Sequence, residues 1–178
     1  MHATPADELY AVHRITQVLL RYCTAVDTRR PELIAECFTE DARLDFAFMG
    51  SYTPAEYIAL CADVLPRLDA TQHLIGPPLV EVRADTAHSR AYFIAQHVLN
   101  ALAPQSSLVI GGWYEDQFQR IDGEWKIRHR QGLTLWSEGN PAVLGGDFPV
   151  GAAARSPLHE APTWLRRLPA APPPPPFA

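Results

Sequence analysis

The sequence has no apolar run approaching the roughly 20 residues that a helix needs to cross a bilayer. Its first residues, Met1-His2-Ala3-Thr4-Pro5-Ala6-Asp7-Glu8, lack the basic and apolar stretches of a secretory leader. It has no basic run, and a net charge of −5 gives it no bulk attraction for nucleic acid or an anionic membrane. Cysteine is scarce. Cys23, Cys37 and Cys61 are odd in number, widely spaced and without a CxxC pair, which fits small core side chains in a reducing compartment. The expected location is therefore the cytoplasm, with no nucleic-acid or membrane partner. Metal ligation is not expected either, because His73, His88, His97 and His129 show no close ligand spacing. Gly111-Gly112 lacks the strand-glycine-helix setting of a phosphate loop, and Ser106-Ser107 has no nucleophile elbow around it.

What is present is the composition of a soluble globular chain, 47% hydrophobic and 20% charged, at a length suited to one domain with a full core. Val12, Ile15, Leu19, Tyr22 and Val26 write one helical face over residues 8–27, and Asp27 falls at the border of that stripe. Pro31 opens a short second helix through Phe38. Thr39-Glu40-Asp41-Ala42 reads as a polar break and Arg43–Phe48 as a strand. Thr53-Pro54-Ala55-Glu56 is a capping box that starts a third helix, through Leu65. Strands are then expected over Thr71–Ile75, Leu79–Arg83, Ala87–Leu102, Ser107–Arg120 and Trp125–Trp136. Asp122-Gly123 marks a tight hairpin, and Gly111-Gly112 marks a bend. Tyr114-Glu115-Asp116 reads as a solvated strand face. After residue 137 no period persists, Thr163–Leu168 fits a short amphipathic turn, and Pro172–Pro176 is a polyproline tail. The order predicts an α+β fold with helices on one face of a curved, largely antiparallel sheet.

Two residues stand out for chemistry. A carboxylate on one imidazole nitrogen fixes the tautomer and leaves the other nitrogen to take a proton, so Asp27 and His73 suit a metal-free general base. The same residues also suit a solvated carboxylate at a helix end and a histidine capping a strand. Tyr22 is either a core aromatic or a hydroxyl donor to a substrate oxygen. His97 shares a strand face with Phe93, Ala95 and Leu99. By alternation His129 should face inward with Trp125 and Ile127, and Arg130 outward unless a bulge reverses the phase.

The chain resembles the SnoaL-like branch of the nuclear transport factor 2-like superfamily. The resemblance rests on Tyr22 through Arg30, Cys37 through Ala42, Thr71-Gln72-His73, Gly111 through Phe118, and Asp122 through Ile127. It covers about residues 8–137 and implies a cone-shaped α+β barrel domain over 1–137, with 138–178 as a Gly/Pro-rich C-terminal extension. It also implies a cofactor-independent lyase of the dehydratase type, acting by elimination on a small apolar cyclic or polyketide-like substrate. His73 would be the base, Asp27 its orienter, and Tyr22 and His97 the further catalytic contacts. His129, Arg130 (or Arg128), Trp113 and Phe93 would bind substrate, and a homodimer or homotrimer is expected. Isomerisation or cyclisation by the same base, a non-catalytic dioxygenase small subunit and a plain ligand-binding module are the alternatives. One departure is Gly76-Pro77-Pro78, where relatives often carry asparagine three residues after the histidine.

Overall fold

The computed structural model describes residues 4–146, 148–153 and 164. Thr4 caps the first helix, α1 (Pro5–Asp27), through a reciprocal pair with Asp7. Its buried stripe runs through Ala11, Ile15, Val18, Leu19, Tyr22 and Val26. Burying each large apolar side chain contributes about 1.5–3 kcal/mol against about 1 kcal/mol for a cap, so the stripe decides where the helix lies. The helix α2 (Pro31–Ala35) is short, and α3 (Pro54–Val64) begins at the capping box anticipated at Thr53 and Glu56. No helix among the described residues is long and apolar enough to cross a membrane.

The strands are β1 (Phe38–Phe46), β2 (Gly50–Tyr52), β3 (Ala70–Ile75), β4 (Leu79–Arg83), β5 (Thr86–Val98), β6 (Ser107–Ile121), β7 (Glu124–Gly139) and β8 (Gly151–Ala152). They form one sheet in the order β2-β1-β7-β6-β5-β3, with β4 also on β5 and β8 on β7. The sheet is mixed, because β1 runs parallel to β7. That pairing overrides the local signal at the start of β1. Phe38 through Ala42, expected as a helix end and a polar break, are strand because Phe38 pairs with Ile127, and Ile127 N donates to Cys37 O at 2.8 Å. Beyond Val98 the strand expected to reach Leu102 turns into a 3₁₀ turn, Asn100–Leu102.

The Asp122-Gly123 hairpin forms with both residues at positive φ, 50° and 84°, as a two-residue type I′ turn requires. Two bulges interrupt the β6–β7 ladder. One lies between Gly111 and Gly112, where Leu135 is the extra residue, and one lies between Gln117 and Phe118, where Arg128 is. A side chain on Gly112 would place Cβ 2.0 Å from Leu133 O, so the bent ladder needs glycine there. Cys23, Cys37 and Cys61 are all buried and unpaired. Of the segments expected after residue 137, Pro172–Pro176 and all of Thr163–Leu168 except Trp164 lie outside the described residues.

Candidate active site

α1 ends at Asp27, and β3 carries His73 past that end. Asp27 uses both carboxylate oxygens on one residue. Oδ2 accepts from the His73 backbone N at 2.7 Å, and Oδ1 lies 2.7 Å from His73 Nδ1. A carboxylate only accepts, so the hydrogen sits on Nδ1 and Nε2 is the free basic nitrogen. The His73 side chain is 7% exposed and lines a cavity of about 390 Å³. The cavity walls are mainly apolar and aromatic, with Phe46, Leu65, Phe93 and Ile110 among them.

His97 lies across from His73, their rings perpendicular with centroids 5.6 Å apart. Burial, aided by the neighbouring His73, pushes the His97 imidazole down to about 4, and its Nδ1 has no hydrogen-bond partner among the described residues. At neutral pH it is therefore a neutral polar contact, not an imidazolium acid. The depressed value has a stability consequence. Between about 6.5 and 4 the unfolded chain binds a proton at His97 that the folded chain does not. Stability is thus present above that window and is lost as pH falls through it. Between pH 7 and pH 4.5 the loss from this group is roughly 2 kcal/mol. Urea unfolding at the two pH values should show His97→Asn losing less stability than wild type by about that amount. An equal loss in both proteins would sink the assignment.

Tyr22 meets a partner absent from the sequence reading. Its hydroxyl is 2.6 Å from that of Tyr57 on α3, and both line the cavity. Burial raises both phenols well above their ordinary value, so each stays protonated and able to donate. Periodicity along α3 marks burial and not where a hydroxyl points, so the sequence alone does not single out Tyr57. Phe93 lines the cavity and stacks on Tyr114 with centroids 4.4 Å apart.

The Arg128 bulge settles which of His129 and Arg130 points inward. It inverts the alternation, so Arg130 turns into the core and His129 turns out, where Nε2 meets Asp45 Oδ2 at 2.8 Å. His129 therefore does not line the cavity, contrary to the periodic expectation. Arg130 does not line it either. Its guanidinium lies behind the wall, 4.2 Å from the Tyr22 ring centroid and 4.1 Å from that of Tyr114. Nε and Nη2 donate to the two oxygens of Asp116 at 2.8 Å each, and both side chains are 0% exposed. Tyr114 and Asp116 are thus buried, not the solvated face expected. Alternation turns both inward, and Arg130 compensates the carboxylate. Trp113 points the other way, onto the outer face. Arg90 lies 4.3 Å over its ring and Tyr92 packs edge-on, so it is not a cavity residue. Arg128, the other arginine considered, is at the surface near Asp41.

Among the described residues the cavity therefore presents the His73 imidazole held by Asp27, the phenols of Tyr22, Tyr52, Tyr57 and Tyr114, a neutral histidine and no facing cation. Among the described residues no group of three or more His, Cys, Asp or Glu is placed to hold a metal.

The SnoaL-like domain family matches residues 7–131. An uncharacterized protein of Mycobacterium tuberculosis is 33% identical over 119 residues, spanning 65% of this chain and 80% of that protein. Among solved structures, a scytalone dehydratase-like protein from Novosphingobium aromaticivorans superposes with a TM-score of 0.72 at 22% identity, over 89% of this chain and 100% of the other. A hexachlorocyclohexane dehydrochlorinase from Novosphingobium barchaimii superposes with a TM-score of 0.68 at 21% identity, over 82% and 99%. These likenesses establish a shared fold, the nuclear transport factor 2-like cone. The family match runs from the first turn of α1 into β7 and includes Asp27, His73, His97 and Arg130, and the chain belongs to the SnoaL-like domain family.

Proposed function

We propose that the chain is a cofactor-independent lyase that removes water from a small, neutral, mostly apolar cyclic or polyketide-like β-hydroxy carbonyl compound. The observation that carries this reading is the double hydrogen bond between Asp27 and His73, which holds a free Nε2 at an apolar wall. Nε2 would take the proton α to the carbonyl, while Asp27 stabilises the imidazolium. The electron pair moves toward the carbonyl oxygen, where Tyr22 and Tyr57 offer a hydroxyl hydrogen that their own contact leaves over. The C–O bond at the β carbon then breaks, and the departing hydroxide takes the proton back from His73. The balance is one enone and one water per substrate. Support also comes from neighbours of the same fold, a scytalone dehydratase-like protein and a hexachlorocyclohexane dehydrochlorinase, whose names both describe eliminations.

The first step is tested without knowing the substrate. Cyclic ketones lacking a leaving group, incubated in D₂O, should exchange their α hydrogen with wild-type protein and not with His73→Ala. A panel of β-hydroxy ketones then separates dehydration from isomerisation, because only the former yields water and the conjugated product. Exchange that is equal with and without active His73 would end the proposal. Tyr57→Phe should lower kcat by about 10²-fold, since a donor to the developing oxyanion is lost and Tyr22 loses its partner. An unchanged kcat would remove the phenol pair from the mechanism. The proposed setting is the cytoplasm, as a homodimer or homotrimer, and sedimentation equilibrium decides the latter.

A further inference from the structure

Most residues lining the cavity are buried or half-buried. Four are exposed: Ala47, Phe48, Met49 and Gly145. All four sit on two flaps that approach each other over the same end of the cone. The first flap is the β1–β2 hairpin, whose tip Ala47–Met49 lies between the paired residues Phe46 and Gly50. The second follows β7 and carries Leu144, Gly145 and Phe148, outside the span matched by the family.

Both flaps are pinned at the base. In the first, Asp45 accepts from Arg43 Nε at 2.9 and 3.0 Å and meets His129 Nε2 at 2.8 Å, and Ala47 N donates to Gly132 O at 3.1 Å. In the second, Asn140 N donates to Ser107 O at 2.8 Å and Asn140 Nδ2 to Gln105 O at 2.9 Å. It is held at its far end by β8 on β7 and by Ala153 N to Leu135 O at 2.8 Å. The tips meet through two rings, Phe48 and Phe148, with centroids 5.7 Å apart in an edge-on arrangement. Ser137 Oγ also donates to Pro149 O beside the second tip, and Tyr52 OH to Met49 O at the first, so the weak edge contact between the two rings gives way by side-chain rotation before either flap leaves its base.

We propose that Phe48 and Phe148 are the specificity-determining residues of this cavity. They form a two-ring clasp at its mouth that opens to admit a flat apolar molecule and then closes over it. The clasp explains how water is kept from a site whose base and donors gain strength from a dry surrounding. It deepens the proposed elimination by restricting its substrates to neutral compounds thin enough to pass two rings, and it rests on that reading only for what enters.

The chain contains its own reporter of access. Cys61 lines the cavity, whereas Cys23 and Cys37 are buried elsewhere in the core. The test is labelling of the full chain with S-methyl methanethiosulfonate, a small neutral thiol reagent, with mass spectrometry resolving the three cysteines. In Phe48→Ala and in Phe148→Ala, labelling of Cys61 should accelerate by about tenfold or more, with Cys23 and Cys37 unchanged. Phe148→Leu, apolar but without a ring, should fall between these and wild type. A Cys61 rate within about twofold of wild type in both alanine variants overturns the clasp. Equal acceleration of all three cysteines also overturns it, since that is a loosened fold and not an opened mouth. No step of this experiment requires turnover, so a failed clasp and a failed elimination are distinguishable.

Discussion

Replacing Asp27 with asparagine is expected to cost about 10²–10⁴-fold in turnover while leaving the fold intact, and His73→Ala the same. The two losses have different causes. His73→Ala removes the base. Asp27→Asn leaves the imidazole in place but gives it the wrong hydrogen. Asp27 accepts through two separate oxygens, from the His73 backbone N and from Nδ1, and an asparagine has only one accepting oxygen. If its oxygen serves the backbone, its NH₂ faces Nδ1 and drives the ring hydrogen onto Nε2, which caps the nitrogen meant to take the substrate proton. If its oxygen serves Nδ1, an N–H is pressed against the backbone N–H and the end of α1 is pushed from β3. Steady-state rates on the β-hydroxy ketone panel, with circular dichroism as the folding control, check both variants. Either variant keeping more than about a tenth of wild-type activity would remove the pair from catalysis.

The second large effect is on stability. Arg130→Ala is expected to cost about 3–5 kcal/mol in denaturant unfolding, because Asp116 is left charged and unpaired at 0% exposure. Arg130→Lys should recover only part of this. A lysine offers neither the two parallel bonds to Asp116 nor a flat group to lie between the Tyr22 and Tyr114 rings. The double variant Arg130→Met, Asp116→Leu removes both charges at once and should restore most of the loss. If Arg130→Ala lies within about 1 kcal/mol of wild type, Asp116 has access to water and the ion pair is not sealed in the core.

The parts of this molecule written in local chemistry were legible in the sequence. Thr53 and Glu56 announce the start of α3, Asp122-Gly123 announces the β6–β7 turn, and the stripe ending at Val26 announces which side of α1 is buried. Asp27 and His73, 46 positions apart, are joined by the chemistry they suit and by the family resemblance, and the fold brings them into contact. What was illegible depended on partners remote in sequence. Phe38–Ala42 reads as a helix end and a loop until β7 supplies a parallel neighbour. Asp116 reads as a surface charge until Arg130 comes to lie beside it. Tyr57 reads as filler until its hydroxyl is seen against that of Tyr22. In each case local propensity is worth tenths of a kcal/mol, and the tertiary contact that overrides it is worth more.

The extra residue at Arg128 has a consequence for how the SnoaL-like domain can diversify. Because Arg128 is set outside the ladder, the bulge and not the type of either residue decides that Arg130 is buried and His129 is not. A straight ladder that kept Arg128 would pair it with Gln117, stranding the His129 imidazole beside Asp116 and carrying the Arg130 guanidinium to solvent, whereas deleting Arg128 would remove the bulge and leave Arg130 opposite Asp116. The strand should therefore tolerate loss of the extra residue better than a straightening that keeps it. In a homologue without this bulge, the arginine that meets the buried aspartate must stand one place nearer to the hairpin.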